Sequence, residues 1–192
     1  MKKPVDSSVP LHPLLTERWS PRAFDASAAI NDEDFKAILE AGRWAPSAFN
    51  AQPWRYVIAK RGDANFEKMA KTFSGFNAMW APNAAAFILV AAVKTNPEGE
   101  ANPSAEYDSG LSAAYMTFEA IHRGLAVHQI AGFDHEQIKK DFGLAENIAP
   151  KAILILGKQA PVESLTDATL VEREKAPRVR LPLSEIVLNG LY

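Results

Sequence analysis

At 192 residues, with 47% hydrophobic and 23% charged side chains, the chain has the size and composition of one globular domain rather than of a disordered segment. Its formal net charge of −2 gives no electrostatic basis for binding nucleic acid or an anionic membrane. The absence of cysteine excludes disulfides, thiolate nucleophiles and Cys-ligated metals, so any redox role must come from a bound cofactor.

The opening MKKPVDSSVPLHP holds two lysines but no apolar stretch, so no cleaved signal is expected and the cytoplasm is the expected location. HPLLTERW predicts a short first helix, stopped at Ser20-Pro21 because the residue before proline is pushed out of helical geometry. NDEDFKAILEAGRWAP predicts a clearer one: Asn31 or Asp32 can cap it, acids fill its first turn, and Phe35, Ile38, Leu39 and Gly42 share a face. PSAFNAQP must be loop, and WRYVIA has strand character. Asp63 can cap a helix running through Met69 and Lys71, followed by the less regular, aromatic-rich FSGFNAMWAPN.

AAAFILVAAV is far too short to span a membrane and predicts a central strand, apolar on both faces. KTNPEGEANPSAEY predicts a mobile surface loop. SAEYDSGLSAAYMTFEAIHRG predicts a long helix. Leu111, Ala114, Tyr115, Phe118, Ile121 and His122 follow one helical stripe, and Ala113, Met116 and Ala120 make the other side apolar too. Such a helix is expected to be buried all round, in a core or a subunit interface. LAVHQI and KAILILG predict strands on either side of a surface helix, DHEQIKKDFG, and EREKAPRVRLPLSEIVLNGLY reads as an arm without a core of its own. Helices and strands mix without strict alternation, so the expected fold is α+β, a sheet flanked by helices in a single domain over 1–192, with an extended arm from about 176.

Sequence signatures of dinucleotide, P-loop and serine-hydrolase sites are absent, and no pair among His12, His122, His128 and His135 has metal-ligand spacing. Four segments carry the remaining chemistry: RWSPRAF, APSAFNAQPW, VHQIAGFD and PRVRLP. Arginines held in proline-bounded loops beside a serine suit a phosphate, because guanidinium offers a rigid fork and the hydroxyl and backbone amides donate. Ser47, Asn50 and Gln52 can hydrogen-bond the edge of a heterocycle or satisfy a turn, and Gly132 can let backbone approach a flat ligand or serve a plain strand-to-helix turn. The charges of the last segment, Arg173, Lys175, Arg178 and Arg180 among Glu172 and Glu174, also fit a solvated run.

In this order and at these separations, the four segments resemble the FMN-dependent nitroreductase family from about Leu14 to Leu183, PSAFNAQPW being the most specific of them. The resemblance implies a central, mostly antiparallel sheet and an obligate homodimer with FMN at the interface. Arg18, Trp19 (through its backbone), Ser20, Arg22, Arg178 and Arg180 would hold the FMN phosphate. Pro46, Ser47 and Asn50 would reach the flavin from the partner subunit, Gln129, Ile130, Ala131 and Gly132 would face it from the strand edge, and Asn77 would meet its pyrimidine side. Trp19, Ala48 and Ala131 depart from the family pattern and leave the acceptor open. Phe49, Phe73, Phe76 and Trp80 either line the substrate pocket or belong to the core. The implied activity is an NAD(P)H-dependent oxidoreductase acting on nitroaromatics, quinones or activated alkenes, with the cofactor supplying the chemistry that no side chain offers. The alternatives are a non-catalytic FMN storage or sensor protein, or an enzyme consuming reduced FMN.

Overall fold

Two buried strands organise the chain, which the computed structural model describes from Lys3 to Gly190. The elements run α1 (Pro13–Glu17), α2 (Asp32–Arg43), β1 (Trp54–Lys60), α3 (Ala64–Ala70), α4 (Asn77–Trp80), β2 (Ala86–Val93), α5 (Ala105–His122), β3 (Ala126–Ile130), α6 (His135–Phe142), β4 (Ile148–Gly157), α7 (Ala168–Lys175) and α8 (Leu183–Ile186). The strands form one four-stranded sheet in the order β1-β2-β4-β3, antiparallel at every pairing, with a register shift between Val90 and Ala91. The chain is therefore α+β, with an antiparallel sheet as expected.

β2 is apolar on both faces because both are covered. Ile88 and Val90 pack with Phe35 and Ile38 of α2 and with Ala113 and Met116 of α5. Phe87 and Leu89 point the other way, into a second core holding Phe66, Met69, Phe73, Trp80, Phe133 and Ile138. Asn31 caps α2 by accepting the Asp34 amide at 2.7 Å, and three acids follow in its first turn. Where α2 crosses α5 only glycine fits: a Cβ on Gly42 would lie 2.7 Å from Met116 Cγ and 2.9 Å from the Tyr56 hydroxyl. No helix among the described residues is long and apolar enough to cross a membrane.

Several local expectations are corrected. Asp63 occupies the N-cap position of α3, but its carboxylate caps no helical amide and lies 3.4 Å from the Lys60 amide instead. The segment after Lys94 closes on itself through a Thr95–Ala101 bridge and bonds between Asn96 and Glu100, which give its polar groups internal partners. Within one chain α5 is covered on one side, so of the two expected settings, a core or a subunit interface, the core accounts for that side alone. Asp108, Ser112, Ala113, Met116, Thr117 and Ala120 face the core, whereas Leu111, Ala114, Phe118 and Ile121 are half-buried and Tyr115 is 44% exposed. One helix face is all that this sheet can cover. α7 is anchored by Leu170 and Glu174, and beyond it residues 176–190 run along the surface, leaving Leu188 97% exposed.

Candidate functional site

A cavity of about 250 Å³ opens between the segment after α1, the outward face of α5 and strand β3. Its walls are Arg18, Ser20, Ala114, Thr117, Phe118, Val127 and Gln129. The strand alternation of β3 sets Gln129 on the same face as Val127 and opposite to Ile130, and the Gln129 amide donates to Thr117 Oγ1 at 3.0 Å. Arg18 donates to Ser20 Oγ at 3.3 Å. Burial first, then the charges of Arg178 and Arg180, lower the pKa of Arg18 from its ordinary value. The first and last cationic motifs of the chain thus lie within electrostatic reach of one another.

The C-terminal arm reaches this region through backbone contacts. Arg178 donates to the Thr16 carbonyl at 2.6 Å, at the end of α1 where free carbonyls favour a cation, and to Lys3 O at 3.3 Å. Lys3 in turn donates to Ala176 O at 2.6 Å and sits 4.3 Å from the centre of the Trp19 ring. Among the described residues, the Arg180 side chain bonds its neighbour's carbonyl alone, Val179 O. Among the described residues, Arg18, Arg178 and Arg180 make no ion pair. Arginines without carboxylates, beside a serine and an open cavity, offer the donors that an anion would need.

Arg22 does not join them directly. Its backbone amide donates to Glu174 at 2.8 Å and its guanidinium stands 4.0 Å from the same carboxylate. Glu174 is 1% exposed, which corrects the solvated reading at this one position of an otherwise exposed run: two backbone amides, of Arg22 and Ala23, need an acceptor in a buried place. Arg173 is exposed and lies over the Phe76 ring at 4.5 Å. Beneath the motif, His128 Nδ1 donates to Pro21 O at 2.9 Å, and its ring stacks obliquely on Trp80 at 4.5 Å. Burial, opposed by its backbone hydrogen bonds and assisted by Arg22 and Arg18, pushes the His128 pKa down to about 4.

The Pro46–Asn50 segment lies elsewhere. Asn50 lines a separate cavity of about 1020 Å³ with Phe49, Arg55 and the turn after Val93, and Ala48 donates its amide to Asp108 Oδ2 near the start of α5 at 3.1 Å. Thr117 and Phe118, which wall the first cavity, follow roughly 14 Å further along that helix. Ser47 accepts the Gln52 amide at 3.0 Å. Phe49, Asn50 and Gln52 all adopt left-handed φ values of 51°, 55° and 46°, and the Phe49 side chain is fully exposed. No side-chain contact of Phe49 among the described residues repays that strain.

Asn77 and Gly132 meet each other. The Asn77 amide donates to the Gly132 carbonyl at 3.2 Å, and a Cβ on residue 132 would lie 2.8 Å from Asn77 Nδ2. A Cβ at this position would have to displace the Asn77 amide from its bond to the Gly132 carbonyl, a coupling the sequence did not disclose. Ile130 is buried and Ala131 exposed, with His135 Nε2 3.3 Å from the Ala131 carbonyl. Trp80 and Phe73 belong to the core, at 0% and 7% exposure, and line neither cavity, while Phe49 and Phe76 stay accessible. Sequence reasoning missed Thr117 and Glu174. A threonine inside an otherwise apolar helix was the available signal for the first.

Comparison with known proteins bears on the same residues. A model described as the nitroreductase family matches residues 15–79, which include both the Arg18–Phe24 and the Pro46–Trp54 motifs. An uncharacterised 15.4 kDa protein of Mycolicibacterium smegmatis is 33% identical over 149 residues, covering 72% of this chain and 97% of that one. A protein of Archaeoglobus fulgidus, provisionally named NADH dehydrogenase/NAD(P)H nitroreductase, is 31% identical over 134 residues, covering 67% of this chain and 74% of that one. The crystal structure of an oxidoreductase containing FMN superimposes with a TM-score of 0.90 at 29% identity, covering 97% of this chain and 95% of that one. With its motifs, fold and relatives in agreement, the chain belongs to the nitroreductase family.

Proposed function

We propose that the chain is an NAD(P)H-dependent FMN oxidoreductase, working as a homodimer and passing electrons to small electrophilic acceptors such as nitroaromatics, quinones or activated alkenes. The observation that carries this reading is that Arg18, which walls a cavity with Ser20 and Gln129, feels the charges of Arg178 and Arg180, none of the three making an ion pair among the described residues. That donor set fits a phosphate ester, and the cavity wall of Ala114, Phe118 and Val127 fits the apolar body of a flavin. FMN, when bound, supplies the electron-carrying chemistry that no side chain here provides.

In this reading Arg18, Ser20, Arg178 and Arg180 bind the phosphate, with Arg22 and the Trp19 backbone supporting the loop. Gln129 orients the ring from β3, and the Ile130–Gly132 backbone borders it alongside Asn77. The cavity of about 250 Å³ is smaller than an ordinary ligand pocket of about 300–1,000 Å³, which supports completion of the site by a second copy. The half-buried α5 stripe and the strained Pro46–Asn50 loop are surfaces that such a copy would cover. Pro46, Ser47 and Asn50 then act on the partner's flavin and exclude water from it. Electron donor and acceptor use the same accessible face in turn, which gives ping-pong kinetics.

The test is reconstitution of the purified chain with flavin, followed by anaerobic mixing with NADH or NADPH. The expected result is a yellow protein that releases FMN, not FAD, on denaturation and is bleached rapidly by one of the nucleotides. Flavin that binds but is not bleached would favour a storage or sensor protein. Failure to bind FMN would remove the reading altogether.

A further inference from the structure

We propose that Glu174 is a positioning residue that assembles the phosphate-binding half of the site by joining the two ends of the chain, an inference that rests on the FMN reading above. Its two oxygens divide between two backbone amides: Oε2 accepts from Arg22 at 2.8 Å and Oε1 from Ala23 at 3.2 Å, across more than 150 residues of sequence. The carboxylate is 1% exposed, and a buried charge of this kind persists only where charge-assisted bonds replace its hydration.

The Arg22 guanidinium stands 4.0 Å from Oε2, within Coulombic range but beyond hydrogen-bond distance, so its donors are not consumed by Glu174. The carboxylate therefore fixes the backbone on which Arg18, Ser20 and Arg22 are mounted while leaving their side chains available. It does the same for the other end. Glu174 lies in the last turn of α7, two residues before Ala176, whose carbonyl receives Lys3, and four before Arg178, which returns to Thr16. Glu17 and Glu172, in the same segments, pair with none of these cations among the described residues.

This role predicts an effect of unusual sign. A carboxylate near a phosphate site is electrostatically unfavourable, so by charge alone its neutralisation would tighten FMN. Loss of positioning acts in the opposite direction, because the side-chain amide introduced by Glu174→Gln offers one acceptor oxygen to two backbone amides and turns an N–H toward the other.

The experiment measures Kd for FMN and for riboflavin, which lacks the phosphate, by flavin fluorescence in wild type, Glu174→Gln, Glu174→Asp and Leu170→Ala. The wild type is expected to prefer FMN. Glu174→Gln is expected to lose roughly tenfold of that preference through weaker FMN binding, with riboflavin unchanged. Glu174→Asp, which keeps the charge but is one methylene too short for both amides, should lose it as well, and decides the question if the Gln variant does not fold. Leu170→Ala loosens the same helix through its buried apolar contact and should leave the preference intact. An unchanged or increased preference in the Glu174 variants, or a loss shared by Leu170→Ala, overturns the proposal. Absence of FMN preference in the wild type overturns the functional reading on which it rests.

Discussion

The Arg18–Phe24 motif and the Pro46–Asn50 loop are both short, proline-marked segments, yet the chain treats them in opposite ways. The first is tied down on every side: Glu174 takes its amides, His128 takes the Pro21 carbonyl, and Phe24 is buried over Trp80. The second holds three non-glycine residues in left-handed conformations and offers a fully exposed phenylalanine to solvent. Backbone strain persists only where surroundings over-determine it. Within one chain, the motif has those surroundings and the loop does not. One half of the proposed site is thus held in place by its own chain, while the other is the half that the proposed second copy would have to support.

The largest expected effect lies under the motif. Trp80→Ala should cost about 3–5 kcal/mol of stability, as for any fully buried aromatic, with the acceptor range of the surviving enzyme unchanged. Urea denaturation measures the first and acceptor screening the second. A changed acceptor range would return Trp80 to the pocket wall.

Next comes acid. His128 has its folded pKa at about 4, below the ordinary 6.5, so the unfolded chain gains a proton first as pH falls. Its contribution is fully present above pH 6.5, is lost progressively toward pH 4 and levels off below, amounting to about 3 kcal/mol. Comparing wild type with His128→Gln in urea at pH 7 and pH 4 isolates this part of the acid sensitivity. Equal pH dependence in the two proteins would contradict it.

Arg18→Ala should weaken FMN roughly ten- to a hundred-fold, the value of one charge-assisted bond to phosphate. Arg173→Ala, whose guanidinium rests on Phe76, should change it by less than about threefold because no phosphate bond is lost. Flavin fluorescence at fixed salt compares them, and equal losses would erase the distinction between the motif and its charged neighbours.

The smallest effect concerns the loop. Phe49→Gly should raise the stability of the chain by up to about 1 kcal/mol by relieving the positive φ, while lowering turnover if the exposed ring meets the second copy of the proposed dimer. A destabilised variant would mean that Phe49 already has a partner within the chain. Light scattering completes the comparison, since a monomer that still holds flavin tightly would show the loop to be dispensable.

Periodicity made much of this legible. β2 and the KAILILG part of β4 were readable as apolar runs bounded by turn residues, and α2 by its cap, its acidic first turn and the Phe35–Ile38–Gly42 face. Ser20 is suggested by its place beside arginines in a proline-bounded loop and Gln129 only by the resemblance to the nitroreductase family; both wall the cavity. Periodicity could not separate Trp80 and Phe73 from Phe76, because FSGFNAMWAPN folds as short turns with no lasting face. Nor could it find Glu174. A charged residue among charged residues reads as solvated until the two amides that need it, from a distant part of the chain, are seen beside it. The same blindness hid the task of Arg178 at the end of α1.

The meeting of the chain ends at Glu174 also orders events in time. The Arg22 and Ala23 amides wait for an acceptor that is synthesised 151 or 152 residues later, after every strand of the sheet. Closing so long a loop on its own carries an entropic cost that a preassembled sheet largely removes, so the joint forms last and opens first. Amide hydrogen exchange should accordingly be faster at Arg22 and Ala23 than along β2, and a ligand held by both ends should slow it there most of all.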